Sequence, residues 1–189
     1  MRQIILVTTV IFSLLMSLSA KADNEKAWTA LRDGRAVLML RHALAPGTGD
    51  PAGFVLNDCS TQRNLNETGR EQARSWKPFL EERGIARARV FSSQWCRSMD
   101  TACQMDMGPV TEWPALNSFF RNRAKGAEQI ERMIELVNQL EPGVPVILVS
   151  HQVVVTALTG VFPASNEGVI VALPLSDNPE VLARVTPGR

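Results

Sequence analysis

Apolar positions in this chain follow two periods. Short continuous runs at 36–40 (Ala36-Val37-Leu38-Met39-Leu40) and 144–149 read as strands buried on both faces, and 88–92 reads as a third. Between them apolar residues recur every three or four positions. Ala73, Trp76, Phe79 and Leu80 mark a helix over 68–83 that Gly84 ends, and Ile130, Met133, Ile134, Val137 and Leu140 mark one over 126–140 that Pro142-Gly143 stops. Shorter helices are expected at 25–32 (with Asn24 as cap and Gly34 closing it), 94–105 and 152–159. Further strands are expected at 109–112, 168–173 and 181–185. Residues 43–64 are rich in Gly, Pro, Asp, Asn, Ser and Thr and read as one long loop, a length that in a compact domain points to function. Strands alternating with helices predict an α/β fold, a three-layer α/β/α sandwich on a mostly parallel sheet.

The first 22 residues have a different pattern. Arg2, an apolar run from Ile4 to Met16 and the small-residue site Ala20-Lys21-Ala22 form a signal peptide, leaving one domain over 23–189. The alternative is an uncleaved anchor. With no second apolar span, no stable membrane span is expected after cleavage, and the protein is expected to be exported, periplasmic or secreted. Cleavage removes Arg2 and Lys21 and no acid, moving the net charge from +1 to −1. Such a balance excludes bulk attraction to nucleic acid, so anion binding must come from a few placed arginines. Three cysteines, Cys59, Cys96 and Cys103, fit no metal spacing, and with only two histidines no metal site or cofactor is expected. Export would pair two of the cysteines. The spacing leaves the choice open; Cys59 with Cys96 is favoured because both flank segments placed at one site.

Three predicted strands end in polar signatures: Arg41-His42 after 36–40, Ser92-Ser93 with Arg97 a turn beyond after 88–92, and Ser150-His151-Gln152 after 144–149. In open parallel sheets ligands bind outside the carboxyl ends of the strands. Both histidines and at least two arginines therefore converge there, and Gln62-Arg63-Asn64 closes the long loop nearby. Neutral imidazole can attack phosphorus, and guanidinium groups match phosphoryl oxygens in a bidentate way. No nucleophile elbow supports a Ser-His-Asp triad.

Arg41-His42 after an apolar strand resembles the Arg-His-Gly signature of the histidine phosphatase superfamily, the phosphoglycerate mutase-like fold. Leu65-Asn66-Glu67-Thr68-Gly69-Arg70-Glu71-Gln72-Ala73 is similar to that family's L-[ST]-x-x-G-x-x-Q-A helix start. Ser92-Ser93-Gln94-Trp95-Cys96-Arg97-Ser98-Met99-Asp100-Thr101-Ala102 is similar to its S-S-x-x-x-R-x-x-x-T-A, and Val149-Ser150-His151-Gln152 to its second-histidine motif. The resemblance covers about residues 36–160. It implies His42 as the nucleophile that is phosphorylated in turnover, Arg41 and Arg97 on the phosphate oxygens, His151 donating to the same oxygens, and Arg63 on the phosphate side.

Two positions depart from the pattern. Ala43 replaces the signature glycine. Many members place a general-acid Glu after the following strand, where this chain has Asn117, which has no proton to give. Glu112 is a poor substitute within a strand; the long loop offers Asp50 or Asp58, with Asp58 taken as the candidate acid and a loop cap as its other reading. A substrate with a good leaving group (an acyl phosphate, phosphohistidine or pyrophosphate) would need little protonation. The expected activity is an exported acid-type phosphatase acting on a phosphorylated small molecule or, by analogy with exported relatives, lipopolysaccharide. The alternatives are a phosphosugar mutase and a binding module that holds a phosphorylated ligand without turnover. Arg121, Arg123 and Lys125 either widen the anion pocket or form a solvated basic face.

Overall fold

The computed structural model describes residues 24–188; the expected signal peptide lies outside them. Its centre is a six-stranded sheet in the order β3-β2-β4-β1-β5-β6. Strands β1 (Ala36–Arg41), β2 (Arg89–Ser92), β3 (Val110–Glu112) and β4 (Val146–Ser150) run parallel. β5 (Gly168–Ala172) and β6 (Val181–Val185) complete the β1 edge as antiparallel neighbours. The fold is the expected α/β sandwich with a mostly parallel sheet.

Alternation along the strands builds both layers. Leu38 and Leu40 of β1, with Val90, Ile147, Val149 and Ile170, face α1 (residues 24–32), α3 (Trp76–Glu81) and α4 (Cys96–Met105), where Trp28, Leu31, Trp76, Leu80 and Met105 are buried. Val37 and Met39, with Phe91, Leu148, Val169 and Val171, face α5 (Gly126–Asn138) and α6 (Gln152–Thr159), where Met133, Val137, Val154, Val155 and Leu158 are buried. Each fully buried aliphatic side chain contributes about 1.5–3 kcal/mol. A sheet covered on both faces is what the near-continuous apolar runs required.

Most boundaries fall within two residues of expectation, and two differences have clear causes. The helix expected over 68–83 is two: α2 (Glu67–Arg74) and α3, interrupted at Ser75. Pro78 has no N–H to give to the carbonyl a turn earlier, and the Ser75 hydroxyl donates to Gln72 O at 2.6 Å. The strand expected at 144–149 begins at Val146, because Val144 and Pro145 lie before the register with β1 begins and Val144 is exposed.

The long loop is built rather than loose. Asp58 caps a single 3-10 turn, Cys59–Thr61. Gln62 reaches across to the start of α4: its Oε1 accepts from Cys96 N at 3.0 Å, and its Nε2 donates to Leu56 O at 2.6 Å. Cys59 and Cys96 form a disulfide at the same junction, leaving Cys103 free. Gly69 lets α2 lie against Leu44, since a Cβ there would fall 2.2 Å from Leu44 O. Asn66 N donates to that carbonyl, and Gln72 Oε1 accepts from Leu44 N at 3.0 Å.

The close approach at Gly69 fixes the chain just after His42. Gly69→Ala should therefore cost about 3 kcal/mol by overpacking, measurable as a lowered urea midpoint. Closing a loop with a sequence separation of 37 restricts the unfolded chain, so the Cys59→Ser/Cys96→Ser variant should lose about 4 kcal/mol in the same assay.

Candidate active site

The site forms where β1, β4 and β2 end side by side. β1 pairs with β4 so that Arg41 faces Ser150, and the pairing continues one step as His42 N donates to Ser150 O at 2.9 Å. His42 and His151 thus leave adjacent strands together, their ring centroids 5.4 Å apart, each 3% exposed. β2 continues similarly: Ser93 N donates to Val149 O, and α4 then starts and turns Arg97 back over His42.

The His42 ring is oriented at both nitrogens. Nδ1 lies 2.8 Å from Ala43 O, an acceptor, so Nδ1 carries the proton. Nε2 is then unprotonated and accepts from Arg97 Nε at 3.2 Å. The backbone around the ring is held on several sides. Ala43 N donates to Thr101 Oγ1, which donates to Arg97 O, and Asn166 N donates to His42 O. Burial, and then the nearby Arg97 charge, hold the His42 pKa well below the ordinary imidazole value. His151 is lowered likewise, by burial first and then by His42 and Arg97. Its Nε2 sits 2.7 Å from Ser93 Oγ, whose proton goes to Asn117 Oδ1 at 3.2 Å, so in this network His151 donates to Ser93.

Around the two rings lies a cavity of about 150 Å³, lined by Arg41, Arg63, Arg97 and Arg121 with Thr48, Gly49, Asp50, Trp95 and Gln152. Arg41 gives Nη1 to Pro163 O at 2.9 Å, while its buried Nε has no hydrogen-bond partner among the described residues. A buried donor left so costs about 1–3 kcal/mol unless an acceptor meets it. Arg63 gives Nε to Gly49 O at 2.7 Å and another donor to Ala45 O, bracing the long loop while lining the cavity. Burial and the neighbouring Arg97 lower its pKa to about 10. Arg121 braces the same loop through Asp50 O and Pro51 O.

Of the residues singled out from the sequence, Arg41, His42, Arg63, Arg97 and His151 meet at this cavity, and Arg121 joins them. Asp58 does not. Its carboxylate accepts from Ser60 N at 3.0 Å and Ser60 Oγ at 2.7 Å, outside the cavity lining, so the capping role replaces the acid role expected of it. Glu112 is exposed and takes a hydrogen bond from Gln94. Asn117 is a bracket: Oδ1 accepts from Gln94 N at 2.9 Å, and Nδ2 donates to Gln94 Oε1. Arg123 lies over the Phe120 ring instead of entering the cavity.

Neither Trp95 nor Asn166 is marked by the sequence as a site residue. Trp95 packs edge-on to His151, stacks with Phe54 and donates Nε1 to Asp50 Oδ2 at 3.0 Å. Asn166 receives Trp76 Nε1 on its side chain and gives its own side-chain amide to Gln72 O, tying α2 and α3 to the His42 backbone. Its left-handed φ of 63° is a conformation asparagine tolerates, but nothing in local sequence marks it.

The arrangement presents an unprotonated imidazole nitrogen to a small cavity ringed by guanidinium groups, which suits attack on an anionic phosphorus centre. The family model for the histidine phosphatase superfamily (branch 1) matches residues 37–131, and the chain belongs to that superfamily. Among solved structures of like fold is a protein histidine phosphatase SixA complexed with tungstate, 20% identical, with a TM-score of 0.55 over 80% of this chain and 97% of that one. Another is a phosphoserine phosphatase from Entamoeba histolytica in complex with 3-phosphoglyceric acid, 13% identical, TM-score 0.58, covering 81% and 98%. A third is a mycobacterial glucosyl-3-phosphoglycerate phosphatase with inorganic phosphate, 17% identical, TM-score 0.52, covering 78% and 95%. No curated protein is similar enough in sequence to count as a relative.

The two depressed imidazoles make stability depend on pH. In the unfolded chain they protonate below about pH 6.5, whereas in the fold they stay neutral. The unfolded state then binds more protons, so stability is full above that pH and falls below it, by at most about 1.4 kcal/mol per histidine per pH unit. Urea midpoints should be level between pH 8 and 7 and lower at pH 5. A level midpoint down to pH 5 would show that the rings protonate within the fold.

Proposed function

We propose that this protein is an exported phosphatase that hydrolyses a phosphomonoester through a phosphohistidine on His42. The observation that carries the reading is the His42 ring itself: Nδ1 anchored on Ala43 O, Nε2 unprotonated and facing the cavity's central guanidinium. In this reading Nε2 attacks phosphorus, and Arg97 and Arg41 hold the phosphoryl oxygens, with the unmet Arg41 Nε as a ready donor. Arg63 and Arg121 add positive charge from the rim. His151 turns its donor from Ser93 to a phosphoryl oxygen as charge builds there. The cavity volume fits the phosphoryl head, leaving the alcohol part at the loop walls. Because burial keeps both imidazoles neutral in mild acid, the nucleophile stays active there, which supports an acid-type enzyme.

Export rests on the signal pattern in residues 1–22 and gains support from the Cys59–Cys96 disulfide, which persists in oxidising compartments. A phosphorylated small molecule or envelope component is the substrate class that agrees with that location. A binding role without turnover draws on one observation, the amide of Asn117 at the place where the family resemblance implies an acid.

Purified mature protein should hydrolyse an aryl phosphate, and quenching during turnover with labelled substrate should leave acid-labile label on His42. His42→Ala should abolish both. Arg97→Ala should lower kcat/KM by about 100- to 1,000-fold. Full activity in the His42 variant would overturn the mechanism; affinity for inorganic phosphate with no turnover of any ester would favour the binding role.

A further inference from the structure

Among the described residues lining the cavity, Asp50 is the one carboxylate. It comes from the middle of the long loop, yet its side chain is only 9% exposed. Arg97 holds it in a fork: Nη1 to Oδ1 at 2.6 Å and Nη2 to Oδ2 at 3.2 Å. Trp95 Nε1 donates to Oδ2, and Arg63 N lies 3.4 Å from Oδ1. The same guanidinium gives its Nε to His42 Nε2. One arginine therefore spaces the nucleophilic nitrogen from a carboxylate. The loop around it is braced by Arg63 on Gly49 O and by Arg121 on Pro51 O. Three arginines and an indole thus place one acidic side chain beside a site built for anions.

We propose that Asp50 is the proton donor to the leaving oxygen, supplied by the long loop in place of an acid at Asn117; the assignment rests on the phosphatase reading above. Burial alone would raise the Asp50 pKa, but Arg97, Trp95 and the Arg63 amide outweigh it, so the carboxylate is ionised at rest. Binding reverses this. Phosphoryl oxygens take over the Arg97 donors, and the displaced carboxylate, now beside an anion, is the stronger base. The proton enters with the substrate, bound as the phosphomonoester monoanion, and passes to Asp50. His42 Nε2 then bonds to phosphorus while the bond from phosphorus to the ester oxygen breaks. Asp50 gives its proton to that oxygen, and the alcohol departs. In the second half, Asp50 takes a proton from water as the water oxygen bonds to phosphorus and the N–P bond breaks. Phosphate leaves as its monoanion with that proton, and Asp50 returns to Arg97.

The test is a leaving-group series, from dinitrophenyl phosphate to simple alkyl phosphates, on the wild type and Asp50→Asn. The amide keeps the shape of the side chain and removes the proton. The loss in kcat/KM should grow along the series, from a few-fold with dinitrophenyl phosphate to about 100-fold or more with alkyl esters. The same factor throughout, or a gain on every ester, would overturn the proposal and leave Asp50 as a plug on the anion site. If Asp50→Asn does not fold, wild-type pH profiles decide. The alkyl ester should lose kcat/KM on the alkaline side of neutrality while the dinitrophenyl ester does not; identical profiles overturn the proposal. The charged and titratable groups facing Asp50 are Arg97, Arg63 and Arg121, with His42 and His151 behind them. Both histidines are already neutral in that range, and loss of an arginine charge would affect both esters alike. Hydrolysis that His42→Ala abolishes, with no leaving-group dependence in Asp50→Asn, separates failure of this step from failure of the phosphatase reading. Wild-type protein that turns over no ester overturns both.

Discussion

The parallel pairing of β1 with β4 is the constraint on which the rest of the site depends. Backbone hydrogen bonds set its register, and its last step, His42 N to Ser150 O, lies just beyond the strand. Because the register is fixed by core residues packed on both faces, the two histidines cannot slide apart without turning Leu38, Leu40, Ile147 and Val149 out of their layer. The position of the two histidines is thus decided by apolar burial some distance below them. β2 joins the same register on the other side of β4 and delivers α4, with Arg97, over the two rings.

Above that frame the site is an electrostatic balance. Four arginines crowd one small cavity, which would repel one another strongly were no anion near. The fold offsets this with the Asp50 carboxylate and with backbone carbonyls, Pro163 O for Arg41, Gly49 O for Arg63 and Pro51 O for Arg121. These acceptors leave positive charge facing the cavity while giving each side chain a fixed direction. The price is paid by the histidines, which burial and Arg97 keep neutral. That neutrality is what a nitrogen nucleophile requires.

The motif residues have physical tasks here beyond marking a family. Gly69 allows the backbone approach to Leu44, Gln72 satisfies the Leu44 amide, and Thr101 links Ala43 to the first turn of α4. Each acts on the chain immediately after His42. The long loop needed a different set: Gln62, the Cys59–Cys96 disulfide, Arg63 and Arg121. Their polar side chains look like ordinary loop composition until their partners, dozens of residues away, are known.

Although the sequence left the cysteine pairing open, with Cys59 and Cys96 favoured, the strands, both helical layers and the convergence of His42, His151, Arg41 and Arg97 were legible in it. They follow from local periodicity and from the rule that parallel strands gather their carboxyl ends. The helix break at Ser75 was not foreseen, because Pro78 removes a backbone hydrogen bond that periodicity does not register, and the strand start fell early, because Val144 and Pro145 precede the register with β1. The role of Asp50 was not legible. Asp50 and Asp58 stand in one polar loop, and only Asp58 has its partner, Ser60, beside it in sequence. Asp58 caps Ser60, two positions on, as its loop-cap reading allowed, whereas only the tertiary structure turns Asp50 onto Arg97 and Trp95, because that side chain takes its chemistry from partners 47 and 45 positions away that the fold brings to it.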